Sequence, residues 1–126
     1  ERRTMAKQKM SQVNNLSTPA AAWVGAMIEG EGSLGWWPKK YHYTIAVDNT
    51  EVETIATLVR LVGGGRVHLI VVVDRKPLWR WTLNCRQEIA ALIPQIIPYL
   101  TGKRQKAIDL LKLIKEQEEV AVATDG

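Results

Sequence analysis

The stretch Ala20-Ala21-Ala22-Trp23-Val24-Gly25-Ala26-Met27-Ile28-Glu29-Gly30-Glu31-Gly32 reads as a helix that is apolar on every side and closes on two carboxylates. Thr18 is suited to cap its start, Pro19 fits its first turn, and Gly30 and Gly32 stop it. Glu29 and Glu31 then fall at the negative end of the helix dipole. A carboxylate there costs a few tenths to about 1 kcal/mol, and Lys or Arg would be the economical choice. A bound cation removes the penalty.

An apolar circumference calls for cover on all faces, and the small residues Ala22, Gly25 and Ala26 let another backbone come close. One face is expected to meet the chain's own sheet. The other is expected to meet a second copy of the helix across a twofold axis, with Ala22, Gly25, Ala26 and Glu29 at the interface. That arrangement brings two copies of Glu31 together, and facing carboxylates make a metal site.

Outward from this helix, Ser33 to Trp37 and Tyr41 to Val47 are rich in aromatic and β-branched residues around the turn Pro38-Lys39-Lys40, which predicts a hairpin. Asp48-Asn49-Thr50 gives a break and a cap. Ile55, Leu58, Val59 and Val62 then recur at helical spacing up to Gly63-Gly64-Gly65. Arg66 to Asp74 and Leu78 to Asn84 predict a second hairpin around Arg75-Lys76-Pro77, and Ile89 to Ile97 a helix or pair of turns interrupted by Pro94. A last helix starts near Thr101, with Ala107, Ile108, Leu110, Leu111, Leu113 and Ile114 on its core face and an acidic end at Glu116, Glu118 and Glu119. This order predicts an α+β domain over residues 18–119, with one antiparallel sheet covered by helices on one face. Residues 1–17 are expected to form a flexible basic arm carrying Arg2, Arg3, Lys7 and Lys9, and residues 120–126 a tail.

The segment Val24-Gly25-Ala26-Met27-Ile28-Glu29-Gly30-Glu31-Gly32-Ser33 resembles the motif of the LAGLIDADG homing endonucleases, with the small pair inverted and Glu in place of Asp at both acidic positions. The order of elements is similar over Pro19 to Lys115. The resemblance implies an αββαββα domain whose curved sheet saddles the major groove of DNA. One motif copy implies a homodimer. By position Glu31 inherits the role of metal ligand, with Gly30 beside it and Mg2+ as the expected cation, while Glu29 shapes the helix end. Pro98 to Ala107 resembles the family's later helix start, so Lys103 matches the lysine that supports the attacking water; Arg104 and Lys106 are alternative carriers. The polar residue that orders water after the second strand falls at Val47, Asp48 or Asn49, and Asp48 is the choice, with a helix cap as its rival reading.

Strand alternation decides which side chains meet DNA on such a saddle. Lys40, His42 and Thr44 share a face, joined by Arg80 and Thr82 on the last strand and by Arg66 and His68 on the third. Arg80 has the fork that suits guanine O6 and N7. Trp37 takes a DNA-facing place, and Lys39, Arg75 and Lys76 sit in turns suited to phosphate contact.

Composition frames these expectations. The chain has 126 residues, 17 Lys and Arg against 13 Asp and Glu, and a net charge of +4, which suits one domain and a nucleic-acid partner. Its only cysteine, Cys85, excludes an internal disulfide and a thiolate zinc cluster and fits an intracellular, soluble protein. Apolar runs are too short to span a bilayer. His42 and His68 lack partners at metal spacing, and no Ser or Cys nucleophile constellation is present. The expected function is site-specific hydrolysis of both strands of a long pseudo-palindromic duplex, as in intron or intein mobility. The alternative is a non-cleaving binder of the same fold, a DNA-binding regulator or an RNA-binding intron maturase.

Overall fold

The computed structural model describes residues 13–37 and 42–125, with side chains described through residue 120. Helix α1 (Thr18–Glu31) leads into strands β1 (Gly32–Trp37) and β2 (His42–Asn49), then helix α2 (Val52–Val62). Strands β3 (Arg66–Ile70) and β4 (Leu78–Leu83) follow, then helix α3 (Arg86–Ile96), a 3-10 turn (Ile97–Tyr99) and the long helix α4 (Arg104–Asp125). The four strands form one antiparallel sheet in the order β1-β2-β4-β3.

Alternation sorts the sheet into two faces. Leu34, Tyr43, Ile45, Val47, Trp81 and Leu83 point toward the helices and are buried with Val24 and Ile28 of α1, Ile55, Leu58 and Val62 of α2, Ile89, Leu92, Ile93 and Ile96 of α3, and Ala107, Leu110 and Ile114 of α4. Trp81 anchors the centre, and its indole N–H donates to the Gly64 carbonyl at 3.0 Å. The opposite face carries no helix from these elements.

Several boundaries differ from the sequence expectation, each for a physical reason. Ser17, not Thr18, caps α1, its hydroxyl accepting from the Ala20 N–H at 3.3 Å. Gly30 lies inside the last turn, and the helix stops at Gly32, where a Cβ would stand 2.8 Å from the Ile28 carbonyl oxygen. β2 runs through Asp48 and Asn49 because they pair with Arg80 and Trp79 of β4. β3 ends at Ile70 instead of continuing to Asp74: Ile70 pairs with Leu78 where β4 begins, so Val71, Val72 and Val73 turn out into solvent, and the connection is closed by Arg75 N–H to Val72 O and by Asp74 at φ 64°. Pro94 sits near the end of α3 without breaking it. α4 begins at Arg104, three residues after the expected start, and runs through to Asp125, so residues 120–125 are helical and not a tail; Ile108 lies on its exposed side.

Residues 13–17, expected in the flexible arm, are fastened to the domain. The Asn14 N–H donates to Val62 O at 2.8 Å and its amide to Leu61 O at 3.1 Å, while Gln95 accepts from Leu16 N–H at 2.7 Å and donates to Asn14 O at 3.1 Å. The basic residues Arg2, Arg3, Lys7 and Lys9 lie outside the described residues.

Candidate nucleic-acid interface and acidic centre

The face of the sheet free of these helices is built by register. Ser33, Ala46, Thr82 and Arg66 are neighbours across the four strands, and Asp48, Arg80 and His68 make the adjoining row. Gly35 and Thr44, then Trp37 and His42, extend the face toward the β1–β2 turn. Alternation therefore puts His42, Thr44, Arg66, His68, Arg80 and Thr82 on one surface, as their parity predicts. Trp37 is 51% exposed, its ring centroid 5.1 Å from that of His42. Trp36 points the other way, packs on the core and has the Lys106 ammonium 5.8 Å from its ring centroid. Thr82 faces this surface and lines its groove, with the hydroxyl oxygen shut off from solvent and without a hydrogen-bond partner among the described residues. Arg75 and Lys76 are exposed in the β3–β4 connection, and Lys39 and Lys40 fall outside the described residues.

At the other end of this face stands Glu31, the last residue of α1. A groove of about 480 Å³ runs from Glu31 over Ser33, Thr44, Asp48 and Arg80 to His42 and Trp37. The Glu31 carboxylate is exposed, and Oε1 accepts a hydrogen bond of 2.8 Å from the Asn49 amide. Asn49 in turn accepts from the Glu51 N–H at 2.8 Å, which ties it to the start of α2. The residue hydrogen-bonded to Glu31 is thus Asn49, while Asp48 lines the same groove with its carboxylate turned to Arg80. The signal was present in the alternation: Asn49 shares parity with the buried Val47 and points to the helix side, where α1 ends, whereas Asp48 points to the open face.

Asp48 has another partner. It accepts both Arg80 Nε at 2.7 Å and Arg80 Nη2 at 2.9 Å, a fork-on-fork ion pair with side chains 37% and 42% exposed. The carboxylate holds the Arg80 guanidinium more firmly protonated than usual. An ion pair this accessible adds only about 0.2–1 kcal/mol to stability. Arg80, expected as a free fork, shares the surface with an acid.

Glu29 and Lys103 join two helix ends reciprocally. The Glu29 carboxylate accepts the backbone N–H groups of Thr101 at 2.8 Å, Gly102 at 3.0 Å and Lys103 at 3.1 Å, the turn that opens α4. The Lys103 ammonium donates back to the Glu29 carbonyl at 2.6 Å, at the end of α1 where carbonyls lack helical partners. These N–H groups, Thr101 first and then Lys103, hold the Glu29 carboxyl below the ordinary glutamate range. The expected repulsion at a helix C-terminus is thereby met within the chain for Glu29, which has no need of an interface or a cation. Arg104 is turned to the carbonyls of Ile97 and Pro98.

The four residues assigned to a helix–helix interface separate likewise. Gly25 is buried, and a Cβ there would stand 2.8 Å from Tyr99 Cβ and 3.4 Å from Ile96 O, so its smallness serves an internal contact. Ala26 is exposed, Ala22 half-buried, and Glu29 is taken up by the turn before α4; at Gly30, expected beside the metal and not at the interface, a Cβ would meet nothing within 4 Å. Among the described residues, no group of three or more His, Cys, Asp or Glu side chains stands close enough to hold a metal, and no helix is long and apolar enough to cross a membrane.

Comparison by sequence finds no matching family model and no matching curated protein. Comparison by structure finds homing endonucleases. The chain is similar to I-CvuI in complex with its target in the presence of Ca, with a TM-score of 0.64 at 17% identity over 78% of this chain and 67% of that one. It is similar to the group I intron-encoded I-CeuI complexed with DNA, with a TM-score of 0.66 at 14% identity over 87% of this chain and 60% of that one. A double lysine-to-alanine variant of I-SmaMI gives 0.60 at 18% identity over 91% of this chain and 43% of that one, so the chain spans only part of each neighbour.

Proposed function

From a chain with the LAGLIDADG homing-endonuclease fold, we propose a homodimeric, divalent-metal-dependent endonuclease that binds duplex DNA on the open sheet face and hydrolyses both strands of a long pseudo-palindromic site. The observation that carries this reading is the continuity of the groove from the polar face to the exposed Glu31 carboxylate, which Asn49 steadies. Glu31 and the Gly30 carbonyl offer hard oxygen donors, suited to Mg2+ or Ca2+. One carboxylate is too few for a cation, which fits a site completed by Glu31 of a second copy across the open stripe of Ala22, Ala26 and Gly30.

Hydrolysis forms a bond from water oxygen to phosphorus as the bond to a sugar oxygen breaks, and the departing oxygen takes up a proton. When bound, the cation supplies activation of water and neutralisation of charge on phosphorus. The chain's own residues do the rest: Asn49 fixes the rotamer of Glu31, and Glu29 and Lys103 lock the end of α1 on which Glu31 rides. To support the attacking water as well, the Lys103 ammonium would have to leave the Glu29 carbonyl that it holds at 2.6 Å. Trp37, His42, Thr44, Arg66, His68 and Arg80 lie along the duplex, with Arg75 and Lys76 at phosphates.

The test is cleavage of a randomised duplex pool with Mg2+, running wild type beside Glu31→Gln. Enrichment of a near-palindromic site cut only by the wild type supports the reading, and an equally active variant overturns it. A second reading, a non-cleaving regulator or maturase, draws on the engagement of Lys103 with the Glu29 carbonyl. Retained duplex or RNA binding without cleavage would favour it.

A further inference from the structure

Asp48 and Arg80 are direct neighbours in the β2–β4 register, on the two central strands and toward the Glu31 end of the surface assigned to DNA, with His68 on the far side of Arg80. An acid on a phosphate-binding face opposes affinity, and its exposure gives it little to do for stability. Its chemistry suits base readout instead. The pair uses Arg80 Nε and one N–H of Nη2. Three of the five guanidinium N–H groups remain, on Nη1 and Nη2, as do the outer lone pairs of the carboxylate. Side by side, the unit offers donor, donor, acceptor in a fixed order. In the major groove a G·C pair offers N7 acceptor, O6 acceptor and N4 donor, whereas an A·T pair offers acceptor, donor, acceptor.

We propose that the Asp48–Arg80 pair is a specificity-determining unit that reads one G·C base pair in one strand orientation, Arg80 donating to guanine and Asp48 accepting from the cytosine amino group. The assignment rests on the duplex-binding reading above. Asp48 has a double part: it fixes the guanidinium against rotation, and it repels bases that put an acceptor where cytosine puts a donor. Without it Arg80 becomes a freely turning cation that binds phosphates and guanines indiscriminately.

The test selects binders from a randomised duplex pool, without divalent metal so that cleavage plays no part, for wild type, Asp48→Asn, Arg80→Ala and the exchanged pair Asp48→Arg/Arg80→Asp. Wild type should show one symmetric pair of positions at which G·C is favoured roughly five- to a hundredfold. Asp48→Asn should flatten preference at that position alone while raising affinity for unrelated duplex at low salt, an effect that a purely structural role would not give. The exchanged pair, with donors and acceptor in reverse order, should favour the opposite strand orientation. Duplex binding with a preference profile unchanged in Asp48→Asn and in the exchanged pair overturns this assignment and leaves the duplex-binding reading intact. Absence of duplex binding by the wild type overturns both.

Discussion

Glu29 and Glu31 lie two residues apart at the same helix end and have opposite environments. Glu29 is enclosed by polar partners: three backbone N–H groups reach its carboxylate and the Lys103 ammonium reaches its carbonyl. Glu31 has one amide from Asn49 and otherwise faces solvent at the head of the groove. Both carboxylates meet the same unfavourable dipole, so the difference is in how the penalty is met. The fold answers it for Glu29 and leaves it open at Glu31. A charge that the fold leaves uncompensated is where a cation gains most, and this asymmetry is why the proposed metal site lies at Glu31 and not at Glu29.

The sharpest way to break this distinction is to neutralise Glu31. Glu31→Gln keeps the shape and removes the charge, so cleavage should fall by about 100- to 1000-fold, the scale of losing a group that stabilises transition-state charge. Duplex affinity without metal, and the melting temperature, should stay close to wild type. A variant that melts early would place Glu31 with Glu29 as a structural residue.

Asn49 sits one step back. Asn49→Ala leaves the Glu31 carboxylate free to turn, and loss of a partner that orients a metal ligand typically costs 10–100-fold in metal affinity or activity. The Mg2+ concentration for half-maximal cleavage should rise accordingly. Asp48→Ala should leave that concentration unchanged, because Asp48 is bonded to Arg80 on the other side of the strand; a shift with Asp48→Ala and none with Asn49→Ala would reverse the assignment.

What the sequence disclosed and what it concealed follow from the range of the interactions. Strand parity is local, so the two faces of the sheet and the common surface of His42, Thr44, Arg66, His68 and Arg80 were legible from residue types alone. The apolar circumference of α1 was legible too, and the structure does cover Ala21, Val24, Gly25 and Ile28 on its inner side. Partnerships between residues far apart in the chain were not. That Asp48 is bound by Arg80, that Glu29 closes on residues 101–103, and that Asn14 and Gln95 fasten the segment before α1 depend on three-dimensional register. The run Val71-Val72-Val73 has strand propensity but no strand opposite it to pair with, so composition overstated β3.

Gly25 and Ala26 repeat the contrast between inward and outward roles in neighbouring small residues. Gly25→Val drives carbon into Tyr99 and Ile96 and should destabilise the fold by about 1–3 kcal/mol, the usual cost of overpacking. Ala26→Val is exposed in the single chain and should leave its melting temperature nearly unchanged while weakening self-association. Thermal melts beside sedimentation at several concentrations check both. Equal loss of stability in the two variants would mean that the outer stripe packs within the chain, leaving the proposed dimer to form through another surface.

The smallest expected effect tests the Glu29 end of the comparison through pH. Its carboxyl is held below the ordinary range by the N–H groups of Thr101 and Lys103, so the folded chain favours the ionised form. A group whose folded pKa is lowered adds stability that is fully present above its unfolded value, about 4.3 for glutamate, and is lost as pH falls through the lowered folded value. The wild type should therefore lose stability over that acid window more steeply than Glu29→Gln, which should start lower at neutral pH and change less. Solvent reaches the Glu29 side chain, which keeps the difference small, and its sign is what matters. An acid limb as steep in Glu29→Gln as in the wild type would overturn the assignment of Glu29 as the carboxylate that the turn before α4 holds ionised.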